Sequence, residues 1–317
     1  MTPDLSNWSN RKKITIDSSK VDDNLSDFPV VIHLDTDTDL ADGAQDSGND
    51  ILFIASDEQT QLSHEIESFD SSTGTLWAHV KIPSLTASSD TTIYIYYSNS
   101  EATNQESVAD VWSNNFIAVY HLTESGGGIG NSEVYKDSSA NSLNGDDYVS
   151  ASSKDGKIAS GQVFNGDGDY IELPNDTAFS PNRATVSAWA KFGGEKGEEY
   201  ILDGRGHQYW IKEDDGTEKP SLGFRTTDNQ VLQSIHTENL SGFHYVAGTF
   251  DGSGAQLYVD GVTSTFTAGS GDVATSSGAS IIGDYVGSGY TYDGAIDEAR
   301  WSSVARSDAW ISTTYNN

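Results

Sequence analysis

The sequence predicts an all-β chain: two β-sandwich (jelly-roll) domains with one short C-terminal helix. Three observations carry that expectation. Helical periodicity is almost absent, short alternating or β-branched runs recur along the 317 residues, and the segments between them are built of Gly, Asp, Asn and Ser. Many short strands at roughly 8–12-residue spacing are the pattern of sandwiches and jelly rolls.

In chain order the strand runs are KKITID, FPVVIHL, DILFIA, LWAHVKIP and TTIYIYY, then IAVYHL, TVSAWAKF, LQSIHTE, FHYVAGTF and AQLYVDG. Between IYIYY and FIAVYHL lies the polar stretch SNSEATNQESVADVW, which places a boundary between residues 1–106 and 107–317. Only SDAWISTTY, with Ser307 as N-cap, reads as a helix. Trp77 and Trp189 sit in alternating strands and are expected in the core. Trp301 and Trp310 flank the last strand and helix and are expected to pin that helix to the sandwich.

Composition narrows the partners. Lys plus Arg number 17 against 48 Asp plus Glu, a net charge of −31, which opposes nucleic acid and anionic membranes by repulsion. The absence of cysteine excludes disulfides, thiolate sites and a Cys nucleophile, and leaves oxygen and His ligands for any metal. Among such metals the hard cation Ca²⁺ suits an acidic chain. No run of about 18 apolar residues exists, so no membrane insertion is expected. MTPDLSNW lacks the regions of a signal peptide and Met1 is the only methionine. The chain is therefore expected to be a monomeric fragment of a larger multidomain protein.

The order of motifs carries a resemblance. AVYHLTE, KDSSANSLNGD, GKIASGQVFNGDGDYIELP, TVSAWAKF, FHYVAGTFDGSGAQLYVDG and GAIDEARWSSVARSDAWI resemble a laminin G-like, concanavalin A-like module of bacterial and archaeal surface proteins, over most of 112–317. WSNRKKITI, LSDFPVVIHL, GNDILFIASDEQTQLSHEIESFD, LWAHVKIP and TTIYIYYSN resemble the uncharacterised β-domain that often precedes it, from about Trp8 onward. The resemblance implies two sandwiches, an extracellular or cell-surface setting, and glycan or surface-ligand binding rather than catalysis. Fold alone does not license function, so sites are argued separately.

NGDGDYIE (165–172) offers oxygens from Asn165, Asp167 and Asp169 at alternate positions, the spacing that opens an EF-hand loop. The rest of that motif fails: Tyr170 stands where the turn needs Gly, Asp176 replaces the twelfth-position Glu, and a strand follows where a helix is required. Two readings stand. In one, these oxygens converge with Asp137 and Asp297 on calcium, because a buried acid must be paired or must coordinate a cation. In the other, the stretch is an Asx-type turn with Gly166 and Gly168 at positive φ, and Arg300 pairs Asp297 or Glu298.

Sugars need an aromatic platform and fixed polar groups. DGRGHQYW supplies Arg205, His207, Tyr209 and Trp210 beside Asp203; GDYVGSGYTYDG supplies Asp284, Tyr290 and Tyr292 beside Tyr285 and Asp293. Strand alternation puts Tyr209 and Trp210 on opposite faces, so one of them belongs to the core. No E-x-D-x-x-E strand, G-x-S-x-G elbow or P-loop occurs. HEIE at His64–Glu67 lacks a second His and lies in a strand. The expectation is a non-catalytic, calcium-assisted carbohydrate-binding or adhesion module. Its rivals are a spacer without a sugar site and an accessory domain of a polysaccharide-degrading enzyme.

Overall fold

The structure, a computed structural model, describes residues 3–126, 129–193, 198–285 and 289–317. The chain divides into one unit of Met1–Asn114 with Asn316–Asn317 and a second of Asn115–Tyr315. Both are antiparallel β, and the molecule is all-β with one C-terminal helix, as the sequence predicts.

The first unit holds β1 (Asn10–Ile16), β2 (Leu25–Leu34), β3 (Leu52–Ala55), β4 (Gln61–Leu62), β5 (His64–Asp70), β6 (Thr75–Leu85) and β7 (Thr91–Tyr97), with short helices α1 (Thr38–Gly43) and α2 (Val108–Val111). They form two sheets, ordered β1-β7-β3-β4 and β2-β6-β5. Register sets Val30 opposite Val80 and Ile32 opposite Ala78, all buried. Strand β3 is buried on both faces. Its Leu52 and Ile54 cluster with Tyr96 beneath Leu5 and Trp8, and the Trp8 indole donates to the Asp50 carbonyl at 2.7 Å. Trp77 departs from expectation. Because Leu76 and Ala78 are buried on one face of β6, alternation sends Trp77 to the other, where it is half-buried and stacked on His33 at 3.6 Å.

The second unit holds β8 (Phe116–Tyr120), β9 (Asn131–Tyr135), β10 (Gly145–Tyr148), β11 (Gln162–Asn165), β12 (Tyr170–Glu172), β13 (Ala184–Phe192), β14 (Glu199–Gly204) and β15 (Tyr209–Glu213). It continues through β16 (Pro220–Arg225), β17 (Val231–Ile235), β18 (Gly242–Phe250), β19 (Gly254–Val259), β20 (Val262–Ala268), β21 (Ile281–Ile282), β22 (Asp293–Ser302) and α3 (Asp308–Asn316). One sheet runs β17-β16-β15-β14-β21-β12-β10-β9; the other runs β11-β22-β13-β18-β19-β20, with β8 also on β22. Residues of both sheets, among them Phe164, Ile171, Ile211, Phe224, Val246 and Phe250, form one core. The β19–β20 hairpin turns on Asp260 and Gly261, both at positive φ (50° and 75°), the two-residue turn whose twist matches the flanking strands.

Helix α3 is capped by Ser307, whose Oγ accepts from the Trp310 amide at 3.2 Å. Trp310 lies under the Arg306 guanidinium at 4.0 Å. Trp301 sits in the sandwich core, edge-on to Tyr120 and Phe179. Trp189 is buried too, but on the face of β13 opposite the core residues Ala188 and Ala190, against Tyr245 and Tyr315.

Candidate ligand-binding site

The two stretches expected to bind sugar meet. On β14 and β15, Asp203 stands opposite Trp210, and Trp210 opposite Gly223 of β16. The Trp210 ring lies over Gly223, where an added Cβ would come within 2.0 Å of it. Trp210 stacks on His207 at 4.3 Å with planes 8° apart. His207 holds positive φ (65°), rare for a side-chain-bearing residue, and its Nδ1 is 2.9 Å from Asp203 Oδ1. Tyr285 meets His207 edge-on at 4.5 Å and stacks on Tyr200 at 5.2 Å; Tyr290 lies 6.2 Å from Tyr200. Residues 286–288 of this loop lie outside the described residues. Tyr290, 42% exposed, borders a cleft of about 290 Å³ with Glu198, Glu199 and Asp215.

Electrostatics distinguish one group here. Burial pushes the Asp203 carboxyl up to about 6; the His207 hydrogen bond opposes this, and nearby Asp284 adds to it. Its Oδ2 receives no hydrogen bond among the described residues. Lys212, held down by burial, pairs with Glu198 and lies 5.4 Å from the Tyr200 ring centre.

Other expected ligand residues have structural roles. Tyr209 and Tyr292 are in the core, not at a surface site, and this corrects the sequence expectation. Each phenol is buried because its hydroxyl reaches a backbone carbonyl: Tyr209 that of Phe179 at 2.8 Å, Tyr292 that of Lys191 at 3.0 Å. Arg205 is buried and braces a neighbouring loop, with Nε and Nη2 on Asn175 Oδ1 and Nη1 on Ser180 Oγ, each at 3.2 Å. Asp284 is buried and accepts from the Tyr285 amide at 2.6 Å.

The oxygens expected to hold calcium are mostly occupied by donors. Asn165 Oδ1 accepts from the Asp167 amide at 2.8 Å, an Asx turn, and Gly166 and Gly168 have φ of 65° and 84°. Asp167 is exposed. Asp169 accepts from the Ser150, Ala151 and Asn165 amides. Asp137 accepts from the amides of Val119, Ser139 and Leu143 and from the Ser139 hydroxyl. Asp297 differs. Its Oδ2 accepts from Lys157 and Ile158 at 2.8 Å each, while Oδ1 has no donor among the described residues. Burial and adjacent Glu298 push its carboxyl up. Arg300 pairs with Glu298.

Tyr200 was not singled out from the sequence. Strict alternation would put it on the face opposite Asp203, but the register shifts between Tyr200 and Leu202. That bulge brings Tyr200, opposite Lys212, onto the face of Asp203 and Trp210.

Comparison with known proteins bears on the fold. Residues 165–312 match the family model of the concanavalin A-like lectin/glucanases superfamily. Residues 47–145 match a domain of unknown function, DUF2341. No curated protein matches the chain. The binding domain of Paraclostridial Mosquitocidal Protein 1 is similar at 12% identity and a TM-score of 0.50, over 64% of this chain and 52% of that one. The chain thus spans about half of that domain. Domain 4 of AbnA, a GH43 extracellular arabinanase from Geobacillus stearothermophilus, solved with arabinotriose, aligns at 22% identity and a TM-score of 0.48, over 64% of this chain and 98% of that one. The CBM40 of Ruminococcus gnavus IT-sialidase, solved with α2,3-sialyllactose, aligns at 14% identity and a TM-score of 0.41, over 51% and 97%. The chain thus matches two family models in tandem, that of a domain of unknown function followed by a concanavalin A-like one, the arrangement its motifs resemble.

Proposed function

We propose that the protein is a non-catalytic, extracellular glycan-binding module, one segment of a longer bacterial or archaeal surface protein. The observation that carries this reading is the cluster of His207, Trp210, Tyr285 and Tyr290 around Asp203. Aromatic rings suit the apolar face of a sugar, and a buried acceptor without a donor suits its hydroxyls. Tyr290 and the edge of Tyr285 form the accessible rim; Trp210 sets the plane of His207 from beneath.

Tyr290→Ala tests this on an exposed side chain whose loss leaves the core intact. Calorimetric titration against glycans selected on an array is expected to show an affinity about tenfold lower or worse, the loss typical of an aromatic anchor. An unchanged affinity would remove the cluster from the reading.

Calcium is the second part of the proposal. Asp297 is the ligand that suits it, because Oδ1 has no donor, whereas Asp137 and Asp169 would have to give up N–H groups to bind a cation. Bound there, calcium would neutralise a buried carboxylate and stiffen the loop at Lys157 and Ile158. Thermal unfolding of the chelated protein is expected to rise selectively with millimolar calcium over magnesium, by mass action on the native state. Asp297→Asn should abolish the rise. Absence of a selective rise in the parent protein would take calcium out of the reading.

A further inference from the structure

A groove of about 650 Å³ runs over β9, β10, β12 and β21, lined among others by Glu133, Asp146, Tyr170, Glu172, Asn175 and Ile281. It lies on the same sheet face as the aromatic cluster. Residues directly opposite one another in antiparallel register share a face. That register runs Trp210, Asp203, Ile281, Glu172, Asp146 across the five adjacent strands β15, β14, β21, β12 and β10. Four inter-strand steps of about 4.8 Å make the line about 19 Å long, enough for a chain of sugars rather than one. Beside it on β10 and β12, Tyr148 and Tyr170 stack at 4.6 Å with planes 10° apart, a second aromatic platform.

The charge along this line has one sign. Asp146 and Glu172 stand directly opposite each other, an arrangement that costs stability when nothing neutralises it. Glu133 adds a third carboxylate, and no Lys or Arg is among the described residues that line the groove. Two bases beside it already have partners other than its carboxylates: Arg205 donates to Asn175 and Ser180, and Lys136 to the Glu133 backbone carbonyl. An independent feature at the other end of the line also calls for a donor. Asp203 is wholly buried, in register with Ile281 of the groove, and its Oδ2 receives no hydrogen bond among the described residues.

We infer that this face binds an extended glycan whose sugars carry free amino groups, with the groove and the aromatic cluster as its two ends. The inference rests on the glycan-binding reading and adds the chemical class. An ammonium is attracted both to the carboxylates and to tyrosine faces. Uronic or sialic acid chains meet repulsion from the same carboxylates and from a net charge of −31.

The test is calorimetric titration of the full chain with a glucosamine hexamer, its N-acetylated counterpart and an oligouronate of equal length. The amine form is expected to bind about tenfold more tightly than the acetylated one, as two half-exposed ion pairs at roughly threefold each would give, and to lose that margin in high salt. Asp146→Asn with Glu172→Gln should erase the margin, so that this variant binds the amine and the acetylated chains equally. Asp46→Asn with Glu101→Gln, the same charge removed from exposed sites in the first unit, should preserve it. Equal binding of amine and acetylated chains, equal loss in the two double variants, or tight binding of the oligouronate overturns the charge inference and leaves glycan binding standing. No binding of any chain overturns both.

Discussion

Asp137→Ala is expected to lower the unfolding free energy of the second unit by about 4 kcal/mol, the size reached when a buried hydrogen-bond network is broken. The carboxylate is 8% exposed and ties three parts of the chain together. It accepts from Val119 on β8, from Ser139 in its own turn, and from Leu143 further on, whose carbonyl in turn receives the Tyr120 hydroxyl. Ala leaves three backbone amides without their acceptor, at about 1–3 kcal/mol for each that stays dry. Water entering the vacated space offsets part of the loss. Asp137→Asn keeps one accepting oxygen but turns an amino group toward the remaining donors, so about half the loss is expected. Urea unfolding checks this as a shift of midpoint at constant slope. The loss is expected to be equal with and without chelator, because donors rather than a cation fill the site. A loss that appears only in calcium would assign Asp137 to a metal after all.

That residue also marks how far the sequence could be read. Alternation of apolar and polar residues located the strand runs, and the Ser307 cap located the helix, because both signals are local. A carboxylate in a glycine-rich stretch looks the same whether it accepts amides or holds a cation. For Asp137 and Asp169 the choice depends on donors from Val119 and Ser150, distant in sequence. The same limit applies to Tyr292, and to which of Tyr209 and Trp210 turns inward, because the carbonyls that receive the two phenols come from Lys191 and Phe179, distant in sequence. DGRGHQYW and GDYVGSGYTYDG were both legible as sugar-binding candidates. Their meeting was not, since it depends on β21 pairing with β14, Leu202 against Ile282. The bulge after Tyr200 defeated alternation outright and hid a fifth ring, Tyr200, which meets His207, Tyr285 and Tyr290 of the cluster.

Glu213→Gln is expected to stabilise the protein, and by more as pH rises. Glu213 is 2% exposed and stands opposite Glu199 on β14. Burial, then Glu218, Glu199 and Asp293, push its carboxyl from 4.5 up to about 9. The folded chain therefore keeps a proton that the unfolded chain releases above pH 4.5. Stability from this group is complete below 4.5 and falls as pH rises toward 9, by about 1.4 kcal/mol per pH unit, or about 3 kcal/mol by pH 7. Gln matches the protonated acid in size, donates to Glu218 in its place, and has nothing to release. Urea unfolding across pH should show parent and variant level near pH 4.5 and the variant ahead by about 3 kcal/mol at pH 7. A difference independent of pH would mean that Glu213 is ionised in the folded chain. Among the described residues no cation figures in the shift of Glu213, and Lys212 points to the opposite face of β15 and pairs with Glu198. Glu199, which stands opposite Glu213, borders the cleft beside Tyr290, whereas Glu213 is not among the described residues that line that cleft. The substitution should thus change stability without altering the charge that a ligand meets at that rim.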